Sequence, residues 1–304
     1  MLELANISYH IGEKALLRDI SLKVQPGEVV AIVGANGAGK TTMMKILCGA
    51  LKPELGIASL DGKEVSSFHP DHLARRRAVL PQYSTLTFAF SSLEVVMMGR
   101  TPHKSTASED LDIALQAMAA AGVAHLASQN YTTLSGGEQQ RVHLARVLAQ
   151  IWHPCDDGDR YLFLDEPTAS LDLSHQHQVL RIARQAAKGG IGVLTVLHDL
   201  NLASQHADRI IVMRQGRLTA EGTPDEVMTP DIINDAFDIH VMVTRHPAVA
   251  CPLIVALPED TQDLSATEQE SLQISHASQA RAPITVKIPV SPEEEAVIKE
   301  ITGS

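Results

Sequence analysis

Three features of the sequence predict an α/β fold: an apolar run at residues 29–33 that ends in a glycine-rich stretch, a strand–helix–strand succession across residues 161–199, and a block at 91–150 with helical spacing. The first suits a strand buried on both faces, which has no polar side to alternate with. The second argues a parallel sheet joined by right-handed crossovers. The third reads as a helical subdomain inserted at about 83–150. The expected architecture is therefore a parallel-sheet core, an antiparallel β subdomain at the N-terminus and the inserted helical lobe.

Taken in order, residues 2–9 (LELANISY) alternate enough to read as a strand, and 20–24 as another. A Pro26-Gly27-Glu28 turn leads into the apolar run VVAIV, the glycines of 34–39 close it, and 41–51 continues as a helix. Residues 58–65 read as a short strand near an Asp61-Gly62 turn. SSLEVVMMGR opens with a serine cap and an acid in its first turn, and DLDIALQAMAAAGVAHL repeats apolar residues at helical spacing. YLFLD (161–165) and GVLTVLHD (192–199) are apolar runs ending in polar residues, with the helix HQHQVLRIARQAAK between them. RIIVMRQGRLTAE (209–221) reads as a hairpin turning at Gln215-Gly216. The main domain is expected to span 1–257. Beyond it, 258–304 is an acidic extension carrying about half the net charge, with a polar linker at 259–282 and a helix start at Ser291-Pro292-Glu293.

The 304 residues suffice for one large core or two modest ones, and with only 3% aromatics the packing falls to Leu, Val, Ile and Ala. A net charge of −11 argues against nucleic acid as a partner. Three widely separated cysteines, Cys48, Cys155 and Cys251, fit free thiols in a reducing compartment. No run of about 18 apolar residues offers a membrane span, and Glu3, Asn6 and His10 interrupt any signal-peptide core. Membrane association is expected to come through a partner.

Gly34-Ala-Asn36-Gly37-Ala-Gly39-Lys40-Thr41 matches the phosphate-binding pattern G-x-x-x-x-G-K-T, between strand and helix as that pattern requires. Its glycines let backbone N–H groups turn onto phosphates at the positive end of the helix. Lys40 would reach the β- and γ-phosphates of ATP, and the Thr41 hydroxyl would ligate Mg2+. In YLFLD-Glu166 a hydrophobic strand ends in two acids, placing Asp165 beside the metal and Glu166 to polarise the attacking water. Alone, that pair also reads as an ordinary strand end with solvated carboxylates. Leu134-Ser135-Gly136-Gly137-Glu138-Gln139-Gln140-Arg141 puts two glycines and a serine hydroxyl at a helix start, able to grip a γ-phosphate.

That last segment resembles the signature of ABC transporter ATPases, and over residues 1–235 the chain resembles that family, a P-loop NTPase fold. The resemblance implies a homodimer with two ATP molecules between Gly34–Thr41 of one chain and Ser135–Gly137 of the other. It also implies that Gln82 senses magnesium and the attacking water, that Ser170-Leu171-Asp172 forms the D-loop, and that His198 is a switch histidine on the γ-phosphate. Tyr9 would stack on adenine, and Thr42 would join Gly34, Asn36, Gly37 and Gly39 in binding nucleotide. Read singly, Gln82, His198 and Tyr9 are equally a surface polar residue, a helix cap and a half-buried strand aromatic.

Within the family, residues 75–103 resemble ATPases of importers for siderophores, cobalamin and haem, and 152–154, 165–181 and 246–255 look closest to those of haem importers. The resemblance implies an ATPase on the cytoplasmic face of the inner membrane, peripheral there, working with transmembrane permease subunits and indirectly with a periplasmic substrate-binding protein. A siderophore, cobalamin or metal importer, and a non-transport ABC ATPase, are the alternatives. Fourteen histidines and Cys251-Pro252 raise direct haem ligation, but His175 and His177, two apart, point about 200° from each other on a helix.

Overall fold

The structure, a computed structural model, describes residues 1–82, 86, 88–154, 158–169 and 171–258. The chain starts with two antiparallel strands, β1 (Leu2–Ile11) and β2 (Lys14–Val24), paired from Leu2↔Val24 to Ile11↔Lys14. Leu2, Leu4 and Ile7 on β1, with Leu17, Ile20, Leu22 and Val24 on β2, bury one face of this ribbon. β2 begins at Lys14 rather than at residue 20, because pairing with β1 recruits residues whose own alternation is weak.

β3 (Val29–Gly34) is buried at all six positions. Val29, Ala31 and Val33 face one core while Val30 and Ile32 face the other, which is why the strand is apolar throughout. α1 (Lys40–Leu47) follows the glycine loop and ends before residue 51, where Gly49 adopts φ +74° just past its C-cap. β4 (Leu55–Leu60) and β5 (Lys63–Glu64) flank a turn with Asp61 and Gly62 both at positive φ, completing a sheet of order β2-β1-β4-β5.

α2 (Pro70–Arg76) leads into β6 (Arg77–Leu80). The helical lobe then holds α3 (Ser92–Met97), α4 (Ala107–Ala120) and α5 (Gly136–Gln150). Each starts with a reciprocal cap, Ser91 with Glu94, Thr106 with Glu109, and Ser135 with Glu138, satisfying backbone donors that a helix start leaves open.

β7 (Tyr161–Asp165), α6 (Leu173–Lys188), β8 (Gly192–Val196), α7 (Leu200–His206), β9 (Arg209–Arg214) and β10 (Arg217–Gly222) finish the central sheet. Its order is β10-β9-β3-β8-β7-β6, parallel except for β10, whose hairpin to β9 turns at Gln215 and Gly216 with φ +49° and +78°. Two short helices, α8 (Pro224–Val227) and α9 (Pro230–Phe237), precede a third sheet, the hairpin β11 (Val241–Arg245) and β12 (Pro252–Ala256). The pattern of the sequence does not announce that hairpin. Residues 1–257 form one compact unit. The linker and helix start read in the acidic extension lie outside the described residues, as do Cys155 and Ser170.

Candidate active site

Four neighbouring parallel strands, β3, β8, β7 and β6, run side by side, and Lys40, Thr41, Gln82, Asp165, Glu166 and His198 lie at or just past their carboxyl ends. That end of an open parallel sheet is where ligands settle. β3 delivers the glycine loop. At Gly34 a Cβ would sit 2.2 Å from the Met213 carbonyl oxygen, and at Gly39 one would sit 2.6 Å from that of Leu16, so both positions exclude any side chain. Gly39 is also the N-cap of α1 and supplies no side-chain cap, leaving the first-turn N–H groups free to face an anion.

Lys40 is only 6% exposed, and its Nζ donates to the carbonyls of Gly34 (2.8 Å) and Ala35 (3.0 Å), folding the side chain back over its own loop. Burial lowers the Lys40 pKa, while Glu166 and Asp165 work against that shift. Asn36 and Gly37 stand exposed at the crest of the loop, and Thr42 is half-buried in the first turn of α1. Tyr9 lies half-buried on β1 opposite Leu17, the residue next to the Leu16 carbonyl that abuts Gly39.

Thr41 Oγ1 donates to Asp165 Oδ1 at 3.3 Å, linking the loop to the end of β7. Asp165 is 8% exposed, and its carboxyl is pushed upward by burial and by the adjacent Glu166. Thr41, Asp165 and Gln82 offer oxygen donors of the kind a hard divalent cation prefers. Among the described residues no group of three His, Cys, Asp or Glu could hold a metal, so phosphate and water oxygens would complete such a shell.

Glu166 departs from β7 at φ +50°, a left-handed conformation costing of order 1–3 kcal/mol for a residue with a Cβ. The turn aims its carboxylate back across the strand ends. Gln82 Nε2 donates to Glu166 Oε2, and His198 Nε2 stands 2.6 Å from Glu166 Oε1. Lys40, Thr41, Asp165, Glu166, Gln82 and His198 are thus gathered at one end of the sheet.

Ser135 and Asp172 are used elsewhere. Ser135 Oγ caps α5 through Glu138, leaving Ser135 and Gly136 exposed at the helix tip. Asp172 caps α6, accepting from the His175 N–H at 2.9 Å and pairing with His175 Nδ1 at 2.8 Å. Among the described residues no hydrogen bond joins Ser135, Gly136, Gly137 or Asp172 to the Glu166 cluster. Two glutamines to which sequence reasoning gave no role make the connection mechanically: Gln140 Nε2 donates to Pro167 O at 2.6 Å, and Gln176 Nε2 to Thr168 O at 3.4 Å and Leu171 O at 3.1 Å. Gly137 packs on Leu171, where an added Cβ would meet Leu171 Cδ2 at 3.3 Å. Gln140 lies inside the LSGGEQQR motif; Gln176 carries no sequence signal. Direct haem ligation finds no support here, because His177 bonds His206 and Cys251 is 5% exposed.

The ABC transporter family matches residues 17–169. The chain is 53% identical over 259 residues to the hemin import ATP-binding protein HmuV of Gloeobacter violaceus, covering 84% of this chain and 94% of that one. It is 46% identical over 270 residues to the HmuV protein of Methylobacillus flagellatus, covering 88% and 100%. Its fold is similar to the dimeric structure of MJ0796, a bacterial ABC transporter cassette, with TM-score 0.64 and 28% identity over 73% of this chain and 98% of that one. MJ0796 is also known as a dimer in a post-hydrolysis state bound to ADP and Pi.

Proposed function

The chain belongs to the ABC transporter family as its ATP-hydrolysing subunit, and from that premise we propose that it energises import of haem through a separate permease. The haem assignment is supported by the likeness to hemin import ATP-binding proteins across nearly their whole length. The observation that carries the catalytic reading is the Glu166 carboxylate, held between Gln82 and His198 beside Lys40, Thr41 and Asp165.

Lys40 leaves its two loop carbonyls to meet the β- and γ-phosphates, while the glycine-loop N–H groups and the first turn of α1 hold the phosphate oxygens. Tyr9 receives the adenine. Thr41, Asp165 and Gln82 would hold Mg2+, which would supply charge neutralisation at the phosphates. Glu166 takes a proton from the attacking water as its oxygen bonds to the γ-phosphorus and the bond to ADP breaks. His198 fixes the Glu166 carboxylate and reaches the γ-phosphate. Each Glu166 oxygen takes one bond, from Gln82 and from His198, and keeps a second lone pair to accept from the attacking water.

The second half of each site comes from another copy. Ser135 and Gly136 stand exposed at the tip of α5, and Asp172 at the tip of α6, which supports a head-to-tail homodimer, and the similar cassette MJ0796 is dimeric. The ATPase domain ends at residue 257 and the acidic extension follows. No helix among the described residues is long and apolar enough to cross a membrane. The chain would sit peripherally at the cytoplasmic face of the inner membrane, fed from the periplasmic side by a substrate-binding protein.

The test is transport by vesicles holding the native permease and this chain. ATP-dependent haem uptake is expected, and its loss with Glu166→Gln. Uptake of a siderophore or cobalamin in place of haem would overturn the cargo.

A further inference from the structure

We propose that Asn201 is a positioning residue for His198, with the C-terminal hairpin as the abutment it holds; this rests on the catalytic reading above. Helix α7 has seven residues, too few to be stable alone, so tertiary bonds must set its place. On one side His177 Nδ1 lies 3.1 Å from His206 Nε2, and Arg184 Nη1 donates to the His206 carbonyl at 2.8 Å, tying the end of α7 to α6. On the other side the Asn201 carboxamide engages both main-chain groups of Ile254. Its Nδ2 donates to Ile254 O at 3.0 Å, and its Oδ1 accepts from Ile254 N at 2.8 Å. Ser204 Oγ adds a buried bond to Pro252 O at 2.7 Å.

Asn201 thereby docks α7 against β12 as though it were another strand. Its main chain is fixed as well. Asp199 Oδ1 accepts from the N–H groups of Asn201 (2.8 Å) and Leu202 (3.0 Å), so residues 199–202 form one rigid cap. His198 is attached directly to that cap. A shift of α7 away from the hairpin therefore moves the imidazole relative to Glu166, whereas the glycine loop, carried on β3 and α1, is unaffected. None of the residues assigned to nucleotide or metal lies on the hairpin, and its bonds to α7 give it a role in turnover.

The experiment compares Asn201→Ala, Ser204→Ala and Arg245→Ala with the unmodified chain. Arg245 is an exposed residue of the same hairpin paired with Asp225. Asn201→Ala is expected to lower kcat about tenfold with KM for MgATP within about twofold, as a misplaced catalytic group does. Nitrogen-edited NMR should show the His198 imidazole resonance displaced, assigned by its absence in His198→Gln. Ser204→Ala should show a smaller loss of the same kind, and it carries the test if Asn201→Ala does not fold. Arg245→Ala should match the unmodified chain. The proposal is overturned if Asn201→Ala keeps kcat within about twofold, if the His198 resonance stays in place, or if Arg245→Ala is equally slow. Absence of ATP hydrolysis by the unmodified chain, or its survival in Glu166→Gln, would instead break the underlying catalytic reading.

Discussion

His198 Nε2 and Glu166 Oε1 stand 2.6 Å apart although 32 residues separate them, because β7 and β8 are adjacent parallel strands in register from Tyr161↔Gly192 to Asp165↔Val196. The strands end together, and each polar residue follows its strand by one or two positions. Gln82 reaches the other Glu166 oxygen from β6, the neighbour on the opposite side of β7.

Glu166→Gln keeps the shape of the side chain and removes its basicity. Hydrolysis should fall by about 10²–10⁴-fold, while nucleotide binding persists and an ATP-bound dimer accumulates. Steady-state phosphate release and size-exclusion chromatography with ATP check both halves.

Lys40→Ala should abolish high-affinity nucleotide binding, measured by titration calorimetry. It should also weaken the nucleotide-free chain, since the Gly34 and Ala35 carbonyls lose the partner they share. A cost of about 1–3 kcal/mol is expected for such a loss in denaturant unfolding.

Ser135→Arg puts a long cation at the exposed tip of α5. Nucleotide binding by the single chain should be unchanged, whereas ATP-dependent dimerisation should be lost on a sizing column.

His206 is held well below its ordinary 6.5, at about 4, mainly by burial and then by His177, Arg184 and Arg181. The neutral ring is thus favoured by the fold, a contribution complete above about pH 6.5 and lost as pH falls through about 4. His206→Gln should flatten the decline of Tm between pH 7 and pH 5 relative to the unmodified chain. Equal slopes would refute it.

The sheet core was legible because its signals are local. The apolar run of β3, its glycine loop and the acid-ended β7 each declare themselves within a dozen residues. Strand order is not local, and nothing in the sequence places β8 between β3 and β7. The positive φ of Glu166 was invisible, since glutamate gives no hint of it. The pairing of His177 with His206 is likewise not local: the two lie 29 residues apart, and only the packing of α6 on α7 makes them one part-buried pair. The hairpin β11–β12 was missed because a two-strand ribbon is marginal alone, and its support comes from Asn201 and Ser204 on another element.

Mixing two inactive variants tests the shared site most directly. In a head-to-tail dimer of Lys40→Ala with Ser135→Arg, one site has both defects and the other has neither. ATPase activity should reappear on mixing, because only the mixed pair holds an intact site. Continued inactivity, with mixed dimers shown to form, would contradict a site built from two chains.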